Sequence, residues 1–210
     1  MIIHPSQVLA WHQPTFSIEE LEKLVWSTVC YDVPYNMVIR LLVATVYGAR
    51  NSELASLTSE DITLTGHAKG TIHIKTLKGG QRKSQPIPEE LIPLFIFPIT
   101  KMHSHTIQRR LKKICKWANI LFVLGAGTHS IRRAVVTLVA TIEHSDLKVS
   151  DFFRWAKPRN TLARYVQTPT TESDAAILAK HPIVKLWGEV IPYLLEKERI
   201  YNQPLLYNNT

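Results

Sequence analysis

The chain has 210 residues, 45% of them apolar, with 25 Lys and Arg against 17 Asp and Glu, a formal net charge of +8. This length and apolar share exclude a disordered polyelectrolyte and suffice for one domain with a sizeable core and short extensions. The cationic excess favours a polyanionic partner, a requirement that nucleic acid and an anionic membrane surface would both satisfy. The longest apolar runs argue against insertion into a bilayer: "MVIRLLVATVYG" contains Arg40 and falls far short of the ~20 residues a span needs. The first residues lack the basic start and apolar run of a signal peptide, so a soluble, cytoplasmic protein without membrane association is expected. Cys30 and Cys115 are unpatterned and fall in expected helices, which reads as two buried thiols in a reducing compartment. The nine histidines are scattered, and "HSH" at 103–105 has no partner cluster at ligand spacing, so neither a metal site nor a cofactor is expected.

In chain order, "SIEELEKLVWSTV" begins with Ser17 and has Glu20 three residues on, a capping box ahead of an apolar helical stripe. After Pro34, "YNMVIRLLVATVYG" is apolar enough for a buried helix and ends at Gly48, where a left-handed residue costs least. "ARNSELASL" continues as a short helix. Between residues 58 and 88, β-branched residues alternate with polar ones and glycines mark the turns, which predicts a small three-stranded antiparallel sheet. Helical spacing then returns in "SHTIQRRLKKICKWANI", in a helix opened by "THSIRRAVV", and in "KVSDFFRWA", "RNTLARY", "ESDAAILAKH" and "KLWGEVIPYLLEKER". The fold class is mainly α with one small antiparallel sheet, an α+β arrangement.

The stretch "GTHSIRRAVV" poses a physical problem. A helix start carries partial positive charge and unpaired N–H groups, yet His129, Arg132 and Arg133 stand in that first turn and work against the dipole. With Thr128 as N-cap, His129 and Arg132 lie three apart on one face beside those free donors. That combination suits the non-bridging oxygens of a phosphate. A solvated basic helix end is the competing reading. Arg50 after the Gly48 break, Lys78 at the second sheet turn and Tyr165 in "LARYV" each have an equally plain structural role: a surface ion pair with Glu53, a solvated turn, a core aromatic.

Their joint order points elsewhere. "LLVATVYGARNSELASLTSEDI" resembles the first arginine box of tyrosine recombinases, the phage-integrase family, with Arg50 as its arginine and Glu53 as the acidic residue three places on. "TLKGGQRKSQPIP" is similar to the family's lysine hairpin at Lys78, "THSIRRAVVTLVA" to its H-x-x-R box at His129 and Arg132, and "TLARYV" to its nucleophile segment at Tyr165. The likeness covers residues 17–181, the catalytic domain, with "ESDAAILAKHPI" similar to tails of archaeal integrases; 1–16 form a lead segment and 182–210 a C-terminal helix and tail.

The resemblance implies a site-specific DNA recombinase that works without metal. Tyr165 attacks a phosphodiester to form a 3′-phosphotyrosyl link, Arg50 and Arg132 neutralise the transition state, and Lys78 protonates the leaving 5′-oxygen. His129 either positions the phosphate or shuttles the nucleophile's proton, and Glu53 orients Arg50 or a neighbour. The family's histidine or tryptophan nine residues before the tyrosine falls on Ala156 by strict counting. Trp155, ten before, is favoured with a one-residue adjustment, against a reading in which it only fills the core. Arg109, Arg110, Lys112, Lys113 and Lys116 flank an apolar face of Leu111, Ile114 and Cys115 and are expected on DNA phosphates, as are Lys75, Arg82 and Lys83 around the hairpin.

The expected partner is double-stranded DNA, with a homotetramer at synapsis. The chain is read either as a catalytic fragment of a longer integrase or as a small single-domain inversion recombinase. Its last helix either packs on its own core or is exchanged with a neighbouring protomer. A type IB topoisomerase and a non-catalytic DNA-binding protein of this fold are the competing functions.

Overall fold

The computed structural model describes residues 15–65, 69–76, 83–122, 126–155 and 170–201. Lys78, Arg82, Tyr165 and the helix expected over "RNTLARY" lie outside them. The first helix, α1 (Ile18–Cys30), starts at the expected box: Glu20 N–H donates to Ser17 Oγ at 3.1 Å and Ser17 N–H to Glu20 Oε2 at 2.9 Å. It buries Leu21, Leu24, Val25 and Thr28. Cys30 lies off that stripe and is exposed, contrary to the expectation of two buried thiols, whereas Cys115 is buried.

Helix α2 (Tyr35–Tyr47) is the centre of the core, with Met37 to Tyr47 all buried. Such a helix has no solvent face, so Arg40 within it must find partners inside. Its guanidinium donates to the carbonyls of Asn36 at 2.7 Å and Leu57 at 3.3 Å, and to that of Thr100. The arginine thus ties α2 to the two connections beside it. Helix α2 stops at Gly48, whose φ of 58° is left-handed, and a Cβ there would sit 2.6 Å from the Phe153 ring. Glycine is required twice over, by conformation and by space.

Short α3 (Asn51–Ser56) leads to strands β1 (Ile62–Leu64), β2 (Gly70–His73) and β3 (Ser84–Ile87), which among the described residues form an antiparallel sheet in that order. Register places Ile72 opposite Ile62 on one side and Gln85 on the other. Among the described residues β3 is an edge strand, so the N–H that Pro86 lacks is not owed to a second neighbour there. The Pro86 carbonyl accepts the Tyr47 hydroxyl at 2.9 Å, fastening the sheet to the central helix. Tight 3-10 turns over Glu89–Ile96, with Pro93 inside, carry the chain back to the helices.

The remaining helices are α4 (Ser104–Trp117), α5 (Thr128–Ile142), α6 (Asp146–Phe152), α7 (Thr170–Lys180) and α8 (Pro182–Tyr201). Pro182 opens α8 at the position where its missing N–H costs nothing. Helix α8 packs on α1, α2 and the 3-10 segment of its own chain. Trp187 is fully buried there, and its indole N–H donates to Thr45 Oγ1 at 3.0 Å. Burying an aromatic side chain of this size contributes on the order of 2–3 kcal/mol. Lys197 adds a bond from its ammonium to the Tyr31 carbonyl at 2.7 Å.

Two helix boundaries differ from the sequence reading. The cap of α5 is Gly127 rather than Thr128: Gly127 N–H donates to Ser130 Oγ at 3.3 Å, and Thr128 instead accepts from Gln108 of α4 at 3.2 Å. The helix expected through "FFRWA" ends at Phe152. Trp155 N–H reaches back to Ser150 C=O at 3.0 Å and Arg154 N–H to Asp151 C=O at 2.9 Å, a Schellman closure with Arg154 left-handed at φ 57°. Both Phe152 and Phe153 are thereby buried, their rings edge to face with centroids 5.1 Å apart.

Candidate functional site

Four segments distant in sequence converge on one cleft of about 530 Å³, lined by Thr15, Arg50, His129, Arg132, Arg133, Val136, Thr137 and Trp155. Arg50 reaches it because the Gly48 turn redirects the chain, making Arg50 the N-cap of α3. Its backbone N–H donates to Glu53 Oε2 at 2.7 Å and its guanidinium to Glu53 Oε1 at 2.9 Å. The Glu53 side chain is fully buried while that of Arg50 keeps 27% exposure, so the carboxylate anchors Arg50 from behind and leaves its outer edge to the cleft.

His129 and Arg132 share a face of α5, as their spacing requires. Arg132 is only 5% exposed. It donates to the Gly48 carbonyl and, at 3.1 Å, to the Phe153 carbonyl, with its guanidinium carbon 5.4 Å from the Phe153 ring centre. Burial, with the Arg50 and Arg154 charges, brings its pKa down to about 10, which leaves it a cation at neutral pH. The unfavourable placement of a cation at a helix start is offset by these fixed carbonyl dipoles and by nearby Glu53. Burial and then the Arg133, Arg132 and Arg50 charges push the His129 pKa below the usual histidine value, which favours the neutral imidazole at pH 7. A neutral ring can accept a proton as well as donate a hydrogen bond.

Trp155 stands at the cleft wall directly after the left-handed turn, half-buried, its ring 5.8 Å from that of Phe153. It therefore lines the cleft and packs on the core together. Chemically, the arrangement offers fixed guanidinium forks and an imidazole converging on one open volume, suited to an oxyanion with several acceptor oxygens.

The other basic residues separate by position. Arg109, Lys112, Lys113 and Lys116, spaced at three and four along α4, line a second groove of about 610 Å³ with Asn119, Ile120, Leu121 and Phe122. Lys113 lies over the Trp117 ring at 4.6 Å. On the opposite side, Leu111, Ile114 and Cys115 are buried. Arg110, half-buried, does not line that groove; its charge, after burial, helps hold the pKa of buried Arg40 down to about 10. Lys75 is paired with Asp61 at 2.8 Å. Lys83 points inward: its ammonium bridges Asp151 at 2.7 Å and Asp174 at 2.9 Å, joining β3 to α6 and α7. The structure thus gives Lys83 carboxylate partners inside the fold in place of an outward phosphate.

Two buried basic residues carry no motif signal. Arg154 sits in an apolar stretch and is completely buried; its guanidinium donates to Gln85 Oε1, to the Tyr47 carbonyl at 3.4 Å and to Glu53 Oε2 at 3.5 Å. His181 is also fully buried, and neither ring nitrogen has a hydrogen-bond partner among the described residues. The one sequence signal for Arg154 was an arginine between aromatics at the end of a helical pattern.

No protein-family profile matches the chain, and no curated protein does. Solved structures do. A XerH site-specific recombinase bound to difH substrate, in a pre-cleavage complex, superposes with a TM-score of 0.56 at 18% identity, over 71% of this chain and 49% of that one. The same recombinase bound to a palindromic difH substrate, in a post-cleavage complex, gives 0.52 at 16% identity, over 91% of this chain and 54% of that one. This chain matches about half the length of those recombinases. Its fold is that of a tyrosine recombinase catalytic domain.

Proposed function

We propose that this protein is a site-specific DNA recombinase that cleaves and rejoins strands through a covalent link to Tyr165. The observation that carries the reading is the cleft itself: Arg50, His129, Arg132 and Trp155, separated by up to 105 positions in sequence, meet at one volume. The fold in which they meet is shared with recombinases solved on their DNA substrates.

A phosphodiester seated in the cleft would present its non-bridging oxygens to Arg50 and Arg132. The Tyr165 phenolic oxygen then forms a bond to phosphorus as the bond to the 5′-oxygen breaks, and Lys78 gives that oxygen its proton. The phenol's own proton passes to a base for which neutral His129 is suited. Because the phosphotyrosyl ester conserves the energy of the broken bond, a 5′-hydroxyl from a second strand reverses the step without any outside energy source. Charge on the pentavalent state is met by guanidinium groups already held by the Glu53 carboxylate and the Gly48 and Phe153 carbonyls, so little reorganisation is needed when it develops. Cations fixed in this way do the work that a metal ion does in many phosphoryl-transfer sites, and the reading is of metal-independent chemistry. Exposed cations of α4 would follow the duplex backbone, and strand exchange between two sites calls for a tetramer at synapsis.

The test is covalent trapping. Wild type and Tyr165→Phe are incubated with nicked duplexes whose cleaved fragment diffuses away, denatured, and the attached DNA sequenced. A tyrosine-dependent adduct is expected, and its sequence reveals the preferred site. Binding at ordinary affinity with no adduct from the wild type would overturn the cleavage reading in favour of a binding protein. Relaxation of supercoils by monomers, without exchange of partners, would move it to a topoisomerase.

A further inference from the structure

Arg154 combines three features seldom found in one residue. It occupies the left-handed position of the Schellman turn that ends α6, with φ 57°, where glycine would be free of steric cost. Its side chain is nevertheless long, charged and entirely buried. It also shares a carboxylate with a cleft residue: Glu53 accepts from Arg50 at 2.9 Å on one oxygen and pairs with Arg154 at 3.5 Å on the other. The comparable turn ending α4 carries Asn119 at φ 53°, an ordinary tenant of that conformation. Nothing about turn formation therefore explains an arginine at 154.

We propose that Arg154 is a positioning residue for the cleft, which divides the charge of Glu53 between two guanidinium groups and so holds Arg50 in place without neutralising it. This inference rests on the strand-cleavage reading above. Two cations and one anion leave one unit of positive charge, and of the three side chains only Arg50 reaches solvent, so the excess is presented at the cleft. The same turn sets the other members. Phe153 C=O accepts from Arg132, Trp155 follows directly, and Gln85 of β3 is clasped between Arg154 and the Phe152 carbonyl, which it meets at 3.1 Å. Arg154 thereby couples the strand after the lysine hairpin to both arginines. Without it, Glu53 would be left to Arg50 alone, forming a closed ion pair that competes with phosphate.

Arg154→Met, Arg154→Gln and Arg154→Lys are compared in the full chain by three readouts: the Arg50 side-chain Nε–Hε resonance, assigned by its loss in Arg50→Lys; duplex affinity; and the single-turnover rate of adduct formation at saturating nicked duplex. Expected for Met and Gln is a shifted Arg50 resonance, a rate lowered about 10–100-fold and a Kd within about threefold, with Lys restoring the resonance and most of the rate. Gln can still bond Gln85 and the Tyr47 carbonyl, so it carries the test if Met does not fold. An Arg50 resonance unmoved in a folded Gln or Met variant overturns the proposal. So does an Arg154→Lys variant as slow as Met. If the wild type forms no adduct, the cleavage reading fails, while the resonance still decides whether Arg154 positions Arg50.

Discussion

The cleft and the outer face of α4 both gather positive charge, yet they hold it in opposite ways. In the cleft, Arg132 is clamped by two backbone carbonyls and Arg50 by a buried carboxylate. On α4, Arg109, Lys112, Lys113 and Lys116 stand out from an amphipathic helix whose other face is anchored in the core. A clamped guanidinium has already lost its rotational freedom and can meet charge developing at a defined point. An exposed lysine keeps that freedom and attracts phosphate through a screened field. Under the proposed function, the two regions would therefore differ in role by how their cations are supported rather than by charge.

Breaking the clamp should have the largest effect. Arg132→Lys keeps the charge but cannot satisfy the Gly48 and Phe153 carbonyls in the same fork, and adduct formation should fall about 10²–10³-fold, measured by single-turnover trapping. Unlike these partnered buried cations, His181 is a buried base whose ring nitrogens have no hydrogen-bond partner among the described residues. Burial lowers its folded pKa from 6.5 to about 4, so the unfolded chain binds the extra proton first as pH falls. Stability from this group is intact above about pH 6.5, declines below it and is lost by about pH 4, a total of about 3 kcal/mol. Urea melts between pH 7 and 4 should show a shallower decline in His181→Phe than in the wild type.

Gly48→Ala attacks the turn on which the cleft is built. A left-handed alanine with its methyl against the Phe153 ring should cost about 2–3 kcal/mol in chemical denaturation and displace the carbonyl that holds Arg132. The α4 face should respond least. Lys112→Gln with Lys116→Gln should lower the log–log salt slope of duplex binding by about one per residue and leave folding stability within about 0.5 kcal/mol. A loss of trapping rate at saturating DNA from that pair would erase the distinction between the two regions.

Local chemistry explains why so much was legible. The capping box at Ser17, the Gly48 stop and the alternation of β1 to β3 rest on neighbours within a few residues, and α1 and α2 lie where their apolar spacing places them. The Arg50–Glu53 and His129–Arg132 pairs are three apart, so one turn of helix puts each pair on a common face. Trp155 is harder to read: it reaches the cleft because the helix ends at Phe152 and a left-handed residue at 154 turns the chain, which the apolar run "FFRWA" does not signal. Lys83 shows the converse failure. Its carboxylate partners Asp151 and Asp174 are 68 and 91 positions away, and no spacing rule reaches that far.

What the sequence determined by itself was the set of local frames: helix faces, a glycine turn, a small sheet, and the residue types that a phosphate-handling site needs. Those follow from backbone geometry and near-neighbour contacts, whose period is fixed by the chain itself. Which cations are partnered, by what and how deeply depends on contacts between remote segments. Arg40, Arg132 and Arg154 are all buried, yet one staples connections, one faces the cleft and one stands behind it. The difference lies in carbonyls and carboxylates delivered by remote segments, because burying a charge is tolerable only where the folded chain supplies its partners.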